Sequence, residues 1–320
     1  MTITRDDGVR RDPCPAVPRT TRRGFLSRAA LAAAAGPLAL ASGRTASAVG
    51  PIGRTRPSHL KLSLAANSYR DYLTGPNKTM DLFGFVDLAA DLGLDAVELT
   101  SHYFPEAVST DYLNRLKVHA FRQGLDVSGT AVMNDFCLPP GPEADKEVGH
   151  VRTWIGRAAE LDAPMVRILS GNWIQGTPEE ELELRVIQRI ESLLPYANEK
   201  GVILALENHG GGVTVTDEQL LRIVRAVKGP GFAVNLDTGN FHGPDPYAEV
   251  AAAAPYAVNV QVKTEVRRKG KSKEPADLAR VIAILREAKY SGYVVLEYNA
   301  PEDPKAAVPR FLKELRSLIS

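Results

Sequence analysis

Four strand-like runs in the second half of the chain each end in a residue type that binds metal ions. The runs are LALEN, AVNLDTGN, VNVQVK and VVLEYN, and the residues are Glu207, Asp237, Gln261 and Glu297. Their spacings of 30, 24 and 36 residues each correspond to one strand, one helix and two loops. A barrel of alternating strands and helices places such strand ends on one rim, where barrel enzymes carry their chemistry. The pattern predicts oxygen ligands that converge on a hard divalent cation.

Each of the four residues also has a structural explanation. Glu207 and Glu297 end apolar strands and would cap the loops that follow, whereas Asp237 would organise the turn Thr238-Gly239-Asn240. Gln261 lies between two valines in a run that should be buried, where an amide needs hydrogen-bond partners. The occurrence of all four at successive strand ends favours the metal site, because a core tolerates few unpaired carboxylates. Three carboxylates and one amide oxygen suit Mg²⁺ or Mn²⁺ better than Zn²⁺.

Other polar residues near the predicted strand ends are candidates for proton transfer and substrate binding. Lys263 lies two residues beyond Gln261, hence on the same side of its strand, where it would hold an anionic oxygen or act as an acid. His209 and His242 follow the fifth and sixth strands and would titrate near neutral pH. We assign His209 to proton transfer and His242 to substrate binding, with surface hydrogen bonding as the alternative for both.

Strand ends in the first half of the chain would line the substrate cavity. Asn67 follows the first predicted strand, Glu98 lies near the end of the second, His102 follows the second, and Arg167 lies in the fourth. A structural salt bridge from Arg167 to Glu98 or Glu207 is the alternative to a role in substrate binding.

All of these residues lie on a regular alternation of two sequence textures. Short apolar, β-branched runs predict strands at 61–66, 96–99, 126–131, 165–169, 202–207, 233–237, 257–263 and 293–297. Stretches with helical spacing predict helices around 79–92, 110–123, 146–161, 178–200, 216–228, 246–253, 275–288 and 304–318. Eight strand–helix units in strict alternation predict an α/β fold, a (β/α)8 TIM barrel. A doubly wound open sheet is the competitor, but residues 65–69 are not the glycine-rich turn that such folds carry.

Residues 1–48 have the three parts of an export signal. Thr21-Arg22-Arg23-Gly24-Phe25-Leu26-Ser27 precedes an Ala/Leu-rich stretch over 29–41 and the small-residue pattern Ala46-Ser47-Ala48. The paired arginines resemble a twin-arginine signal, which predicts export of the folded chain to the periplasm or the exterior. A plain secretory signal or a disordered basic tail is the alternative. The apolar stretch is short and broken by Gly36-Pro37, so we expect no membrane anchor after cleavage.

The remaining residues divide into a Pro/Gly/Arg-rich linker over 49–59 and a catalytic barrel domain over 60–320. The whole chain has 39 basic and 38 acidic residues, and the leader holds eight Arg and three Asp of these. Residues 49–320 therefore carry 31 basic and 35 acidic residues, a net charge of −4 that does not point to nucleic acid. Cys137 is their single cysteine, which leaves no intrachain disulfide.

One charge-rich stretch, residues 267–273, follows the seventh predicted strand with the sequence RRKGKSK. A solvated loop is the simpler interpretation of such a basic run. The functional alternative is a mobile lid over an anionic substrate.

The layout from Leu60 to Leu318 resembles the xylose-isomerase-like barrels, a superfamily of sugar isomerases and epimerases, inosose dehydratases and 3-dehydroshikimate dehydratases. The motifs that carry the resemblance are Glu207-Asn208-His209, Asp237-Thr238-Gly239-Asn240, Gln261-Val262-Lys263 and Glu297-Tyr298. The resemblance implies that these strand ends hold one divalent metal through Glu, Asp, His and Glu. This chain has Gln261 where the epimerases have His, as some dehydratases of the superfamily do.

The resemblance and the residues together predict a metal-dependent isomerase or epimerase of sugars or keto-sugars. The metal would polarise a carbonyl and stabilise the enediolate formed when Glu207 or Glu297 removes the neighbouring proton. Elimination from a keto-sugar or a cyclic polyol ketone, a lyase reaction, is the alternative at the same metal site. A phosphodiesterase would need more histidines than this rim offers, and a non-catalytic sugar-binding barrel is the third class. A homo-oligomer is compatible with the sequence.

Overall fold

Eight parallel strands close into a barrel in the computed structural model, which describes residues 48–76 and 78–320. Numbered in chain order, its strands are β1 (Leu60–Ala65), β2 (Ala96–Thr100), β3 (Asp126–Ala131), β4 (Met165–Ile168), β5 (Ile203–Glu207), β6 (Phe232–Asp237), β7 (Ala257–Val262) and β10 (Gly292–Leu296). Between β7 and β10 the chain forms a separate antiparallel hairpin of β8 (Glu265–Arg267) and β9 (Lys273–Pro275). The order around the barrel is β1-β10-β7-β6-β5-β4-β3-β2.

The connections between the barrel strands carry the helices. They are α1 (Arg70–Leu73), α2 (Leu82–Asp91), α3 (Thr110–Arg122), α4 (Pro142–Glu160), α5 (Glu179–Lys200), α6 (Asp217–Ala226), α7 (Pro246–Ala253), α8 (Leu278–Glu287) and α9 (Pro304–Ile319). Side-chain caps fix several helix starts, as at α6, where Thr216 and Gln219 form a reciprocal capping box. Such caps satisfy backbone N–H groups that have no partner inside the helix.

The (β/α)8 TIM barrel predicted from the alternation is confirmed. Each barrel strand lies within one residue of its predicted bounds, because the apolar β-branched runs are short and sharply limited. The largest shift among the helix bounds is at α4, which begins at Pro142 rather than near 146. Pro142 suits the first helical position and Glu143 and Asp145 suit the first turn, so the helix extends toward its N-terminus.

The inside of the barrel is unusually polar toward the carboxyl ends of the strands. Glu98 on β2 accepts a hydrogen bond from Asn259 on β7 at 2.7 Å, although these two strands are not neighbours. The bond must therefore cross the barrel interior. The apolar side chains of the core fill the layer between strands and helices, where helix faces such as Leu220, Ile223 and Val224 are fully or almost fully buried.

The segment predicted as a linker over 49–59 lies against the barrel. Ala48 forms an antiparallel bridge with Lys228, and the Ile52 N–H donates to the Pro255 carbonyl at 2.9 Å. Arg54 donates to the carbonyl of Ala257, at the start of β7. The export signal predicted over residues 1–48 lies outside the described residues, Ala48 excepted. Across the described chain, no helix combines the length and apolarity needed to span a bilayer.

Cys137 offers a chemical probe of how firmly this core is closed. The side chain is fully buried, its thiol donates to the Ser170 carbonyl at 3.2 Å, and burial raises its pKa to about 12. In the full chain with Cys14→Ser, we expect the native thiol to react with Ellman's reagent at least about 100-fold more slowly than the denatured chain, because reaction requires opening of the core. Reaction at the denatured rate would contradict this packing.

Candidate active site

A cavity of about 410 Å³ opens at the carboxyl ends of the barrel strands, the rim that the sequence predicted. The size is typical of a small-molecule site. Its walls come from the carboxyl-terminal halves of the barrel strands and from the loops that follow them. The lining residues are Asn67, Thr100, His102, Tyr103, Met133, Arg167, Glu207, His209, Asn240, Lys263, Glu297 and Asn299.

Seven of the residues selected from the sequence line this cavity, namely Asn67, His102, Arg167, Glu207, His209, Lys263 and Glu297. Asp237, Gln261 and Glu98 do not line it and are at most 1% exposed, bonded to one another or to the lining residues from below. His242 lines a neighbouring cavity instead. Apart from His242, the selected residues thus form one cluster in two layers, an upper one open to the cavity and a lower one sealed inside the barrel.

Glu207 is held by a buried cation. Arg167 Nε lies 2.9 Å from Glu207 Oε2, an ion pair whose angles are not those of a hydrogen bond, and Arg167 Nη1 donates to the Val132 carbonyl at 3.0 Å. Asn240, in the turn after β6, donates to Glu207 Oε1 at 3.1 Å. Burial raises the pKa of Glu207, and the Arg167 charge opposes that shift. The structural salt bridge considered for Arg167 is therefore present, and it lies in the cavity wall.

A second cation, Lys263, lies between two carboxylates. Its Nζ is 2.9 Å from Glu297 Oε1 and 3.2 Å from Asp237 Oδ2. Burial opposes the charge of Lys263, but the adjacent carboxylates raise its pKa, so the ammonium stays protonated. Burial acts against ionisation of Glu297 as well, yet Lys263 and Arg167, with a hydrogen bond from Asn67, lower its pKa to about 2. Glu297 is thereby fixed as an anion at the cavity wall.

Amide side chains orient these carboxylates further. Asn67, just after β1, donates to Glu297 Oε1 at 2.6 Å and accepts from the Tyr103 hydroxyl at 2.6 Å. Asn299 donates to the same Glu297 oxygen at 3.3 Å and accepts from Arg70 at 2.7 Å. The Glu297 Oε1 atom is therefore saturated by three donors, and its second oxygen is the one available to a ligand.

Beneath the cavity, one carboxylate and three amides form a closed ring of hydrogen bonds. Gln261 Nε2 donates to Glu98 at 2.6 Å, and Asn235 Nδ2 donates to Gln261 Oε1 at 2.8 Å. Asn259 Nδ2 completes the ring by donating to Asn235 Oδ1 and to Glu98, each at 2.7 Å. Asn235 also approaches Glu207 Oε2 at 3.3 Å, which couples the ring to the upper layer.

The sequence interpretation did not include Asn235 and Asn259, although a signal for them existed. Each lies two residues before a selected residue, Asp237 or Gln261, in a strand that is otherwise apolar. Residues i and i+2 of a strand face the same side, so these two amides had to point into the barrel with their neighbours.

The charges of the cluster do not cancel within the chain. Glu98, Glu207, Asp237 and Glu297 are four carboxylates against the two cations Arg167 and Lys263. Burial raises the pKa of Glu98 to about 7, with repulsion from Glu297 adding to the shift. Burial likewise raises the pKa of Asp237 to about 7, although the Lys263 charge opposes it. Near neutral pH, Glu98 and Asp237 therefore tend to take up protons, which compensates for the shortage of positive charge in the cluster.

The donor set fits a hard divalent cation in charge and chemistry. Full ionisation leaves a formal charge of −2, and Asp237 Oδ2 is buried without a hydrogen-bond partner, since its contact with Lys263 has unfavourable angles. Within the described residues, no three His, Cys, Asp or Glu side chains are already gathered around a common point as metal ligands. Lys263 lies between two of the predicted ligands, and the Gln261 oxygen is directed at Asn235.

The chain belongs to the xylose isomerase-like TIM barrel family, whose model matches residues 86–317. The resemblance drawn from the four strand-end motifs is thus confirmed at the level of the family. Comparison with curated protein sequences gave no match.

Solved structures of sugar epimerases share the fold. A D-psicose 3-epimerase from Clostridium cellulolyticum H10, solved with D-tagatose, is 15% identical with a TM-score of 0.68, over 81% of this chain and 99% of that chain. An L-ribulose 3-epimerase is 18% identical with a TM-score of 0.65, over 81% of this chain and 93% of that chain. A 3-keto-D-glucoside 4-epimerase from E. coli is 14% identical with a TM-score of 0.64, over 81% of this chain and 99% of that chain. At such low sequence identity, the structural similarity establishes a common fold and nothing more.

Replacing Lys263 tests whether its ammonium neutralises the buried carboxylates. For Lys263→Met we expect the free energy of unfolding in EDTA to fall by about 3 kcal/mol at about pH 8, the cost of breaking a buried ion pair. The loss should be smaller near pH 5.5, because Asp237, with a pKa of about 7, is protonated there and needs no counter-charge. Urea denaturation measures both values, with Lys313→Met on the exposed side of α9 as control. An equal loss at both pH values would contradict this role.

A divalent cation should stabilise the protein more at about pH 8 than near pH 5.5. The folded pKa values of Glu98 and Asp237 lie above their ordinary values, so the metal-free protein loses stability as pH rises toward 7. A bound cation compensates for that loss and competes with the protons. Thermal unfolding with and without excess MnCl₂ at the two pH values measures the difference. The double variant Asp237→Asn/Glu297→Gln is the control and should show little stabilisation; a wild-type shift that grows as pH falls would refute the expectation.

Proposed function

We propose that this chain is an isomerase or epimerase of keto-sugars, which moves a proton on and off the carbon next to a carbonyl. The observation that carries the proposal is the pair of carboxylates Glu207 and Glu297 on the wall of one cavity, each oriented by its own cation and amide. Proton transfer on a carbon acid needs positioned bases of this kind beside an electrostatically stabilising site.

The position of the two carboxylates suits a reaction that exposes both faces of a planar intermediate. Glu207 ends β5 and Glu297 follows β10, and two strands, β6 and β7, separate them around the barrel. A sugar bound between them would present one face to each carboxylate. One residue would remove a proton and the other would return a proton to the opposite face, which inverts the carbon.

Cationic and amide groups at the cavity would stabilise the charge that develops on the substrate oxygen. Arg167 and Lys263 both line the cavity, and burial strengthens their electrostatic effect. We assign to Lys263 the role of holding the anionic oxygen, and to His209 a role in proton transfer at the rim. Asn67 and His102 would bind sugar hydroxyls, while Glu98 would keep Gln261 in position from below.

Glu207, Asp237 and Glu297, with the Gln261 oxygen, are the residues that would hold a divalent metal, Mn²⁺ or Mg²⁺. When bound, such a metal polarises the substrate carbonyl and so acidifies the neighbouring C–H group. Glu207 and Glu297 are also the proposed proton-transfer pair, and in Glu297 both tasks would fall to Oε2, because three donors occupy Oε1. The leader predicted over residues 1–48 would place this activity outside the cytoplasm.

The fold neighbours are consistent with this chemistry. All three are named as epimerases, at carbon 3 of D-psicose or L-ribulose and at carbon 4 of a 3-keto-D-glucoside. In each of these sugars the named carbon is next to a ketone. Nothing in the structure favours the elimination that the sequence left as the alternative, and the product distinguishes the two reactions.

Product analysis by NMR in D₂O, with MnCl₂ restored, tests the function on a panel of keto-sugars. We expect wild type to introduce deuterium next to the carbonyl of an intact sugar and to form its epimer or isomer. Glu207→Gln and Glu297→Gln should each lower this rate by at least about 100-fold, because each removes a proton-transfer group. Glu287→Gln, on the exposed side of α8, is the matched control.

Three outcomes would contradict the proposal. Full turnover in both Gln variants would remove Glu207 and Glu297 from proton transfer. An unsaturated product would establish elimination. Absence of exchange on every keto-sugar of the panel by metal-loaded wild type would favour a binding protein.

A further inference from the structure

A second cavity adjoins the candidate active site and is separate from the groups assigned to proton transfer. It has a volume of about 260 Å³ and lies between the turn after β6 and the β8–β9 hairpin. Asn240, Lys263 and Asn299 line both cavities, so a substrate group can extend from one into the other. The residues that line only the second cavity include His242, Glu265, Arg267 and Lys273.

The hairpin places two cations on one face, toward this cavity. Arg267 and Lys273 are direct cross-strand partners in the β8–β9 register, and both line the cavity. Like charges directly opposite each other destabilise a strand pair, so this arrangement has a cost unless an anion lies between them. Glu265 offsets part of it, with its Oε2 3.1 Å from Lys273 Nζ. Arg267 forms no ion pair with any carboxylate of the described chain.

The remaining titratable groups at the cavity leave the positive charge in place. His242 faces Arg267, and burial together with that charge lowers the His242 pKa, so the imidazole is a neutral hydrogen-bonding group. Lys263 already contacts Asp237 and Glu297. The two hairpin cations, Arg267 and Lys273, thus face the single carboxylate of Glu265. This leaves a surplus of one positive charge on the hairpin wall of the second cavity.

The cavity is built from anchored backbone. The Lys269 N–H donates to the Gly243 carbonyl at 2.9 Å, and the Ala276 N–H donates to the Thr264 carbonyl at 3.0 Å. Val266 is 1% exposed, and the hairpin packs so closely on Gly239 that a Cβ there would lie 2.6 Å from the Glu265 carbonyl oxygen. The basic stretch 267–273 therefore has a fixed hairpin base and an exposed tip.

We propose that this second cavity, with Arg267 and Lys273 on its hairpin wall, is a subsite for an anionic substituent, a carboxylate or a phosphate, carried by the sugar substrate. The assignment rests on the proposed function, since it names the class of keto-sugar that the same site accepts. The substrate carbonyl would lie between Glu207 and Glu297, and the anionic end would lie against Arg267.

Equilibrium binding to the full chain tests the subsite with three ketose probes. D-Fructose is the neutral reference, 5-keto-D-gluconate carries a carboxylate, and D-fructose 6-phosphate carries a phosphate. Calorimetric titration gives the affinity of each anionic probe relative to D-fructose. We expect at least one ratio to be about tenfold or more, since a hydrogen bond to a charged group contributes about that factor. The probe with the larger ratio identifies the anion.

Four variants assign that preference to the cavity. Arg267→Gln and Lys273→Gln should each lower the ratio by about tenfold, whereas Arg267→Lys should retain most of it. Lys271→Gln is the matched control, because it removes one charge from the exposed tip of the same hairpin, outside the cavity. The affinity ratio of this variant should stay within about twofold of the wild-type ratio, because salt screens a charge at the exposed tip. Circular dichroism checks that each variant is folded.

The proposal is overturned if neither anionic probe binds better than D-fructose, or if neither gives saturable binding. It is also overturned if Lys271→Gln lowers the ratio as much as Arg267→Gln, which would indicate a general field of the hairpin. Deuterium exchange separates this result from the proposed function. Exchange without an anion preference refutes the subsite alone, and an anion preference without exchange on any probe refutes the proposed reaction while the subsite stands.

Discussion

The burial of four carboxylates, two in the cavity wall and two beneath it inside the barrel, is the constraint on which the rest of this site depends. Ionised groups in a low-dielectric interior are costly unless they are paired and hydrogen-bonded. Arg167 and Lys263 provide two of the necessary counter-charges, and Glu98 and Asp237 respond to the shortage with raised pKa values. The fold tolerates this arrangement because the buried carboxylates find cation or amide partners inside the barrel, while apolar side chains fill the layer between strands and helices.

The hydrogen-bond ring of Glu98, Gln261, Asn235 and Asn259 satisfies the buried Glu98 carboxylate and fixes the orientation of the three amides. Each amide has two donor hydrogens and one acceptor oxygen. Asn259 donates to both of its neighbours in the ring, and Glu98 accepts from both of its neighbours. Reversal of one amide would bring two donors or two acceptors face to face. Because Asn235 also reaches Glu207, the orientation of the lower layer determines how the upper carboxylate is held.

Sequence reasoning predicted the layers of the fold better than the contacts within the site. The bounds of β3 and α7 matched in full, because hydrophobic period and helix caps are local signals. The roles inside the cluster are not local: Glu98 and Gln261 are 163 residues apart, and only the closed barrel brings them to 2.6 Å. The same holds for the linker predicted over 49–59, whose contacts with Pro255 and Ala257 have no signature in its own composition.

The amide at position 261 determines which groups can balance the charge of the rim. A histidine in contact with Glu98 would be able to take up a proton and form a buried ion pair there, adding a third cation inside the barrel. Gln261 cannot be protonated, so it satisfies Glu98 without changing the charge. The net charge of the cluster then depends on Arg167, Lys263, the four carboxylates, His209 at the rim and whatever binds among them. The cluster therefore keeps its surplus negative charge at the cavity, where its carboxylates can bind a cation or accept a proton from a substrate.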